Sequence, residues 1–272
     1  MAAVRPAAVA GSFYPADSHA LCSLIRGYLD AARETPPAPD PWPKALIVPH
    51  AGYVYSGQVA AAAFVRVEAA RELVSRVVLI GPSHHVRFAG LAVPSSTAFA
   101  TPLGSVDVDE TARRQILTFS FVDVLDDAHH SEHSLEVQLP FLQEVLGAFA
   151  VLPIAVGHAS SAQVEQVLEA LWGGDETLIV VSSDLSHYFD YDTARRMDAA
   201  TASAIESLEP EGIGPEGACG RTGVGGLLTA ARRHELEART LALRSSGDTA
   251  GGRSEVVGYG AWELTVAKNG SP

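Results

Sequence analysis

The chain has 272 residues, a formal net charge of −13 and 47% apolar residues, enough to bury the core of one large α/β domain. Only 19 Lys and Arg stand against 32 Asp and Glu, with no basic cluster, which argues against nucleic acid as a partner because phosphate recognition needs clustered cations. Cys22 and Cys219 lie in unrelated contexts and make no disulfide framework, the N-terminus lacks the apolar run of a signal peptide, and no window approaches the ~20 apolar residues of a membrane span; the expectation is a cytoplasmic protein with no membrane partner.

In chain order, the spacing of Leu21, Leu24, Ile25 and Tyr28 predicts a first helix from Asp17 to Arg33, capped by Asp17 or Ser18. Thr35 to Pro43 carries five prolines in nine residues, which rules out helix and central strand and predicts an extended surface connection inside a single domain spanning 1–272. KALIVPH, 44–50, reads as a buried strand that ends at Pro49 and His50, and Ser56 to Val67 as an Ala-rich helix. RVVLIGPSHH repeats the strand pattern and ends at His84 and His85; Val151 to Val156 is a third strand, and TLIVVSSDLSHY, from Thr177, a fourth that ends in Asp184 and His187. Helices are predicted at 107–118, 134–147, 161–172 and 192–207. The segments 236–244 and 258–266 alternate in character and are expected to pair antiparallel at one edge. Strands alternating with helices predict an α/β fold with a largely parallel central sheet covered by helices on both faces.

Three of the apolar strands end in histidines. In open α/β sheets ligands bind beyond the carboxyl ends of the strands, so His50, His84, His85 and His187 are expected to converge there. One histidine at a strand end is usually a satisfied loop residue; three such ends favour a metal, for which imidazole is the commonest ligand. Cys219 lies in GACGRTGVGG and reads either as a small buried thiol or as a further ligand. DDAHHSEHSLEVQLP reads either as a solvated acidic loop or as a helix that starts at Ser131 or Glu132, turns Leu135, Leu139 and Leu142 to the core and sets His133 in its first turn. The bland role of Asp184 is to cap a short helix following it. There is no Walker loop and no HExxH, and the glycines at 223–226 do not follow a buried strand as a dinucleotide site requires.

GSFYP (11–15), PHAGYVYSG (49–57), GPSHH (81–85), TPLG (101–104), EHSLEVQLPF (132–141), SSDLSHY (182–188) and CGRTGVG (219–225) together resemble the Memo family, whose bacterial and archaeal members are often called AmmeMemoRadiSam system protein B. The resemblance runs in order over nearly the whole chain. It implies the three-layer α/β sandwich of the LigB-like class III extradiol dioxygenases. It also implies a His/His/Cys metal pocket at His50, His84 and Cys219, with His187 at the dioxygenases' acid/base position. Asp184, His133 and Tyr53 would line or support that pocket, and His85 would stand behind it. AMMECR1-like and radical SAM proteins are the partners the resemblance implies.

A His₂Cys set is chemically sensible. The thiolate supplies one negative charge and, being soft, favours iron, copper or zinc over magnesium or calcium. Three protein ligands leave an open coordination position, and Asp184 or Glu132 can orient a ligand imidazole through its other nitrogen. The first expectation is therefore an oxidoreductase with Fe(II) that acts with O₂ on a small aromatic or diol substrate, His187 moving a proton. A non-catalytic metal- or peptide-binding scaffold, with Arg221 the one basic residue beside the pocket, is the second. A zinc hydrolase is the third.

Overall fold

The computed structural model describes residues 3–34 and 42–267; the predicted connection at 35–43 falls almost wholly outside them. Its strands are β1 (Val4–Arg5), β2 (Ala45–Val48), β3 (Arg76–Pro82), β4 (Leu91–Val93), β5 (Ala98–Thr101), β6 (Gly104–Asp107), β7 (Val122–Val124), β8 (Ala150–Val156), β9 (Thr177–Ser182), β10 (His187–Phe189), β11 (Leu236–Ser245) and β12 (Val256–Val266). The α-helices are α1 (Ser18–Arg33), α2 (Tyr53–Phe64), α3 (Glu110–Ile116), α4 (Asp127–His130), α5 (Leu139–Val145), α6 (Ser161–Leu171), α7 (Tyr191–Glu206) and α8 (Arg221–Arg233). None is long and apolar enough to cross a membrane among the described residues.

The main sheet runs β10-β12-β2-β9-β3-β8-β4-β7, with β11 paired to β12. Its centre, β2, β9, β3 and β8, is parallel. The two late strands pair antiparallel to each other, and β12 runs antiparallel to β2 on one side of the parallel core, while β4 runs antiparallel to β8 on the other. Alternate side chains of the central strands enter two separate cores. Leu46, Val48, Leu79 and Val180 pack with α1, α2 and α5, while Ile47, Val78, Ile80, Ile179 and Val181 pack with α6, α7 and α8. Helices therefore cover both faces, which gives three layers.

Local chemistry explains the helix starts. The side chain of Asp17 accepts from Ala20 N–H at the head of α1, Ser160 and Gln163 form a reciprocal capping box at α6, and Asp190 accepts from Thr193 N–H at α7. Several expectations need correction. The helix expected at 134–147 is a 3₁₀ turn, Glu136–Gln138, followed by α5, and residues 131–135 are irregular because their polar groups bind the neighbouring loops instead. The segment 107–118 ends a strand before Asp109 caps α3. No short helix follows Asp184: its carboxylate accepts from His50 N–H at 2.7 Å, and the next helix is capped by Asp190. The glycine-rich stretch after Cys219 is the start of α8. Glycine is needed there by packing: a Cβ on Gly226 would lie 2.6 Å from the Val164 side chain of α6.

One buried carboxylate gives the fold a pH dependence. Asp198, on α7, is only 3% exposed and accepts from Ser186 N–H at 3.1 Å; Gly258 faces it, where a Cβ would sit 2.0 Å from Oδ2. Burial pushes Asp198 up to about 6 from an ordinary 3.8. The folded state thus holds a proton that the unfolded chain has already released, and the contribution of Asp198 to stability falls as pH rises from about 4 to 6. Asp198→Asn keeps the acceptor without the charge. It is expected to be more stable than wild type by up to about 3 kcal/mol at pH 8 and to match it at pH 4, as read from urea midpoints at both pH values.

Candidate metal centre

β2, β9 and β3 are neighbours in the sheet, and their carboxyl ends deliver His50, Asp184 and His84 to one place. Cys219 arrives from the other side at the head of α8. Its N–H donates to the Asp184 carbonyl (3.2 Å), and Gly220 N–H donates to Ser183 Oγ (2.9 Å), which staples the start of α8 to the end of β9. The ligand atoms of His50, His84 and Cys219 all lie within 4.8 Å of one another, and His50 Nε2 is 3.3 Å from Cys219 Sγ. Nitrogen and sulfur ligands on one tetrahedral ion, at ~2.0–2.3 Å each, stand ~3.5 Å apart, so the spacing fits a shared metal ion.

The hydrogen-bond network fixes which imidazole nitrogens are free. Gln138 Nε2 donates to the Pro49 carbonyl and to Ser182 Oγ, both at 2.9 Å, and Ser182 Oγ gives its only proton to the Ser134 carbonyl at 2.7 Å. Ser182 can therefore only accept from His50 Nδ1, 2.9 Å away, so Nδ1 carries the proton and Nε2 presents a lone pair toward Cys219. His84 is set the same way by Glu132. One carboxylate oxygen accepts His84 N–H at 2.6 Å, and the other accepts its Nδ1–H at 2.8 Å and Ser134 N–H at 2.9 Å. Burial opposes the Glu132 charge, but these donors outweigh it and hold the carboxyl well below its usual range. Both histidines are thus oriented as ligands by groups behind them, the arrangement metal sites use.

Burial, with the adjacent His84 and His133 rings adding, holds His50 well below the usual imidazole range, so it stays neutral and able to ligate. Burial and then Asp184 push the Cys219 thiol up to about 12, so without a cation the sulfur keeps its proton. A bound cation would replace that proton, and affinity would rise with pH. The donor set, two oriented nitrogen lone pairs and one thiol, fits a soft or borderline metal ion.

The remaining expected residues take the following positions. The His133 ring stacks on that of His84 (centroids 4.6 Å) and also packs against Phe13. His84, Glu132 and His133 form a second close group, with His133 Nδ1 3.5 Å from Glu132 Oε1, but Glu132 already accepts from three N–H donors, two of them of His84, so that group supports His84. His187 donates Nδ1–H to the Leu185 carbonyl at 2.8 Å, leaving Nε2 open. Tyr53 is buried and donates to the Val137 carbonyl at 2.6 Å, fixing the loop behind the site. His85 is exposed, 6.0 Å from the His133 ring, and Arg221 is exposed at the start of α8. Burial pushes Asp184 up to about 7, and its Oδ2 lies 4.0 Å from His50 Nε2. Sequence reading missed Ser182 and Gln138. Both stand inside polar motifs, but a neutral side chain that sets a tautomer leaves no spacing signal.

Glu132→Gln tests the orientation directly. All three groups facing Glu132 are donors, so an amide NH₂ must meet one of them. Metal affinity is expected to fall about 10–100-fold with the fold retained, measured by competition with a chelator.

A family model described as Memo-like protein matches residues 5–263. A MEMO1 family protein of Aquifex aeolicus is 36% identical over 267 residues, covering 94% of this chain and 97% of its own. Those of Aeropyrum pernix (35%; 95% and 98% covered) and Ignicoccus hospitalis (37%; 95% and 97% covered) are similarly close.

Proposed function

This chain belongs to the Memo-like protein family, and from that premise we propose that it is a metal-dependent oxidoreductase that holds iron at His50, His84 and Cys219 and oxidises a small aromatic or diol substrate with O₂. The observation that carries the reading is the pair of imidazoles whose Nε2 lone pairs are fixed beside one thiol by Ser182 and Glu132. Three protein ligands of this kind leave coordination positions open for substrate, as catalytic sites do and closed structural sites do not. Iron bound there would supply electron transfer to O₂, which no side chain supplies.

The protein's own part is orientation and proton transfer. His187 keeps Nδ1–H on the Leu185 carbonyl, so its Nε2 is the atom that takes a proton from a substrate hydroxyl. Burial lowers its pKa, which leaves the ring neutral and ready to accept at neutral pH. Asp184 holds the His50 backbone through its N–H and keeps the β2 and β9 ends together.

The test is O₂ uptake by protein reconstituted anaerobically with Fe(II) and then given catechol. Catechol-dependent uptake is expected, reduced about 10²–10⁴-fold in His187→Asn while iron content is unchanged. A stoichiometric iron site with no uptake on any phenol or diol tested would leave a metal-binding scaffold as the better description. Ester hydrolysis by the zinc-loaded protein alone would turn the reading to a hydrolase.

A further inference from the structure

We propose that Tyr188 is the aromatic wall of the substrate site, stacking on a planar aromatic ring and selecting it over a saturated diol; this rests on the oxidoreductase reading above. Among the described residues three non-glycine residues have left-handed backbone: Tyr188 (φ 63°), Leu208 (φ 53°) and Glu235 (φ 52°). Leu208 and Glu235 each lie two residues beyond the last residue of a helix, α7 and α8, where this conformation commonly closes the last turn. Tyr188 follows no helix. It sits at the irregularity in the β10–β12 pairing, between His187, opposite Val257, and Phe189, opposite Val256. An aromatic residue is costly at such an angle, where glycine or asparagine would be at ease.

Packing gives no return for that strain, because Tyr188 is 73% exposed. Strain that the fold does not need is a mark of functional sites. The irregularity instead sets Tyr188 against the proton-accepting residue: its ring centroid is 5.7 Å from that of His187, at 66°. Further tyrosines lie close by. Tyr55 is 38% exposed, and the pKa of the buried Tyr259 hydroxyl is raised by burial and then by Asp184, Tyr55 and Tyr188, so those three groups lie within electrostatic reach of Tyr259. Consecutive residues thus offer a ring face and an open imidazole nitrogen. A phenol or catechol has the matching pair, a π face and an acidic hydroxyl; a saturated diol has only hydroxyls.

The experiment is calorimetric titration of the zinc-loaded protein, which cannot turn over, with catechol and with cis-1,2-cyclohexanediol. Wild type is expected to prefer catechol. Tyr188→Gly should weaken catechol binding by about tenfold, leave the saturated diol unchanged and not lower the melting temperature, since glycine relieves the backbone. Tyr188→Phe should keep catechol within about twofold of wild type, because the ring face remains. Equal catechol binding by wild type and Tyr188→Gly overturns the inference alone, as does equal loss of both diols. Binding of neither diol by wild type overturns the inference together with the oxidoreductase reading.

Discussion

Wild-type protein is expected to retain a metal that Cys219→Ser and His84→Ala should each lose, with affinity down by at least about 100-fold, the upper end of what removal of an orienting partner alone costs. The two variants fail for different reasons. Serine at 219 keeps the size and the backbone bonds to Asp184, but its hydroxyl does not ionise to replace the soft thiolate. Alanine at 84 removes one of the two fixed Nε2 donors and leaves Glu132 accepting backbone N–H groups only. Neither change empties the core, because Cys219 is partly exposed and the His84 side chain is 30% exposed, so the folding midpoint of the metal-free protein should stay close to wild type. Chelator competition with iron and zinc reads the affinity and urea denaturation the fold. Undiminished binding in both variants would remove the pocket from the metal chemistry.

The largest expected effect on stability lies behind the site, at Arg5. Its guanidinium pairs with Glu136 and donates to the carbonyls of His129 (2.9 Å) and Glu132 (2.7 Å); the side chains of Arg5 and Glu136 are 5% and 0% exposed. Glu136 also accepts Ala8 N–H (2.8 Å), Val9 N–H (3.0 Å) and the Tyr14 hydroxyl. One buried ion pair thus ties the N-terminal segment to the loop that carries Glu132 and His133. Arg5→Met leaves a buried carboxylate without its cation and should cost about 3–5 kcal/mol. For a domain of this size that is a fall of about 6–12 °C in melting temperature. The same variant should bind metal less tightly even where it is folded, because the Glu132 carbonyl loses its anchor. The paired change Arg5→Met with Glu136→Leu should recover part of the stability, since no charge is then left buried.

Much of this architecture was legible in the sequence. The apolar runs at 45–48, 76–82, 150–156 and 177–182 are strands, and their polar ends meet because these strands are parallel neighbours. What could not be read depends on contacts distant in sequence. α8 hides behind glycines that local propensity counts against a helix, and two of them, Gly225 and Gly226, face α6, where a Cβ would lie 2.5 Å from Ser161 and 2.6 Å from Val164. Arg5 and Glu136 meet across 131 residues and look like ordinary surface charges in sequence. Asp184 looked like a helix cap, yet its partner is a backbone N–H 134 residues away. The set of His50, His84 and Cys219 was suggested by resemblance. The structure adds why the two histidines offer Nε2: Ser182, Gln138 and Glu132 leave them no other tautomer.

X-ray absorption at the metal edge of the reconstituted wild-type protein is the most direct test that these three residues hold one ion. One sulfur at about 2.3 Å together with imidazole nitrogens at about 2.0–2.1 Å is the expected shell, with the sulfur gone in Cys219→Ser. A shell of oxygen and nitrogen only, unchanged by Cys219→Ser, would contradict the assignment.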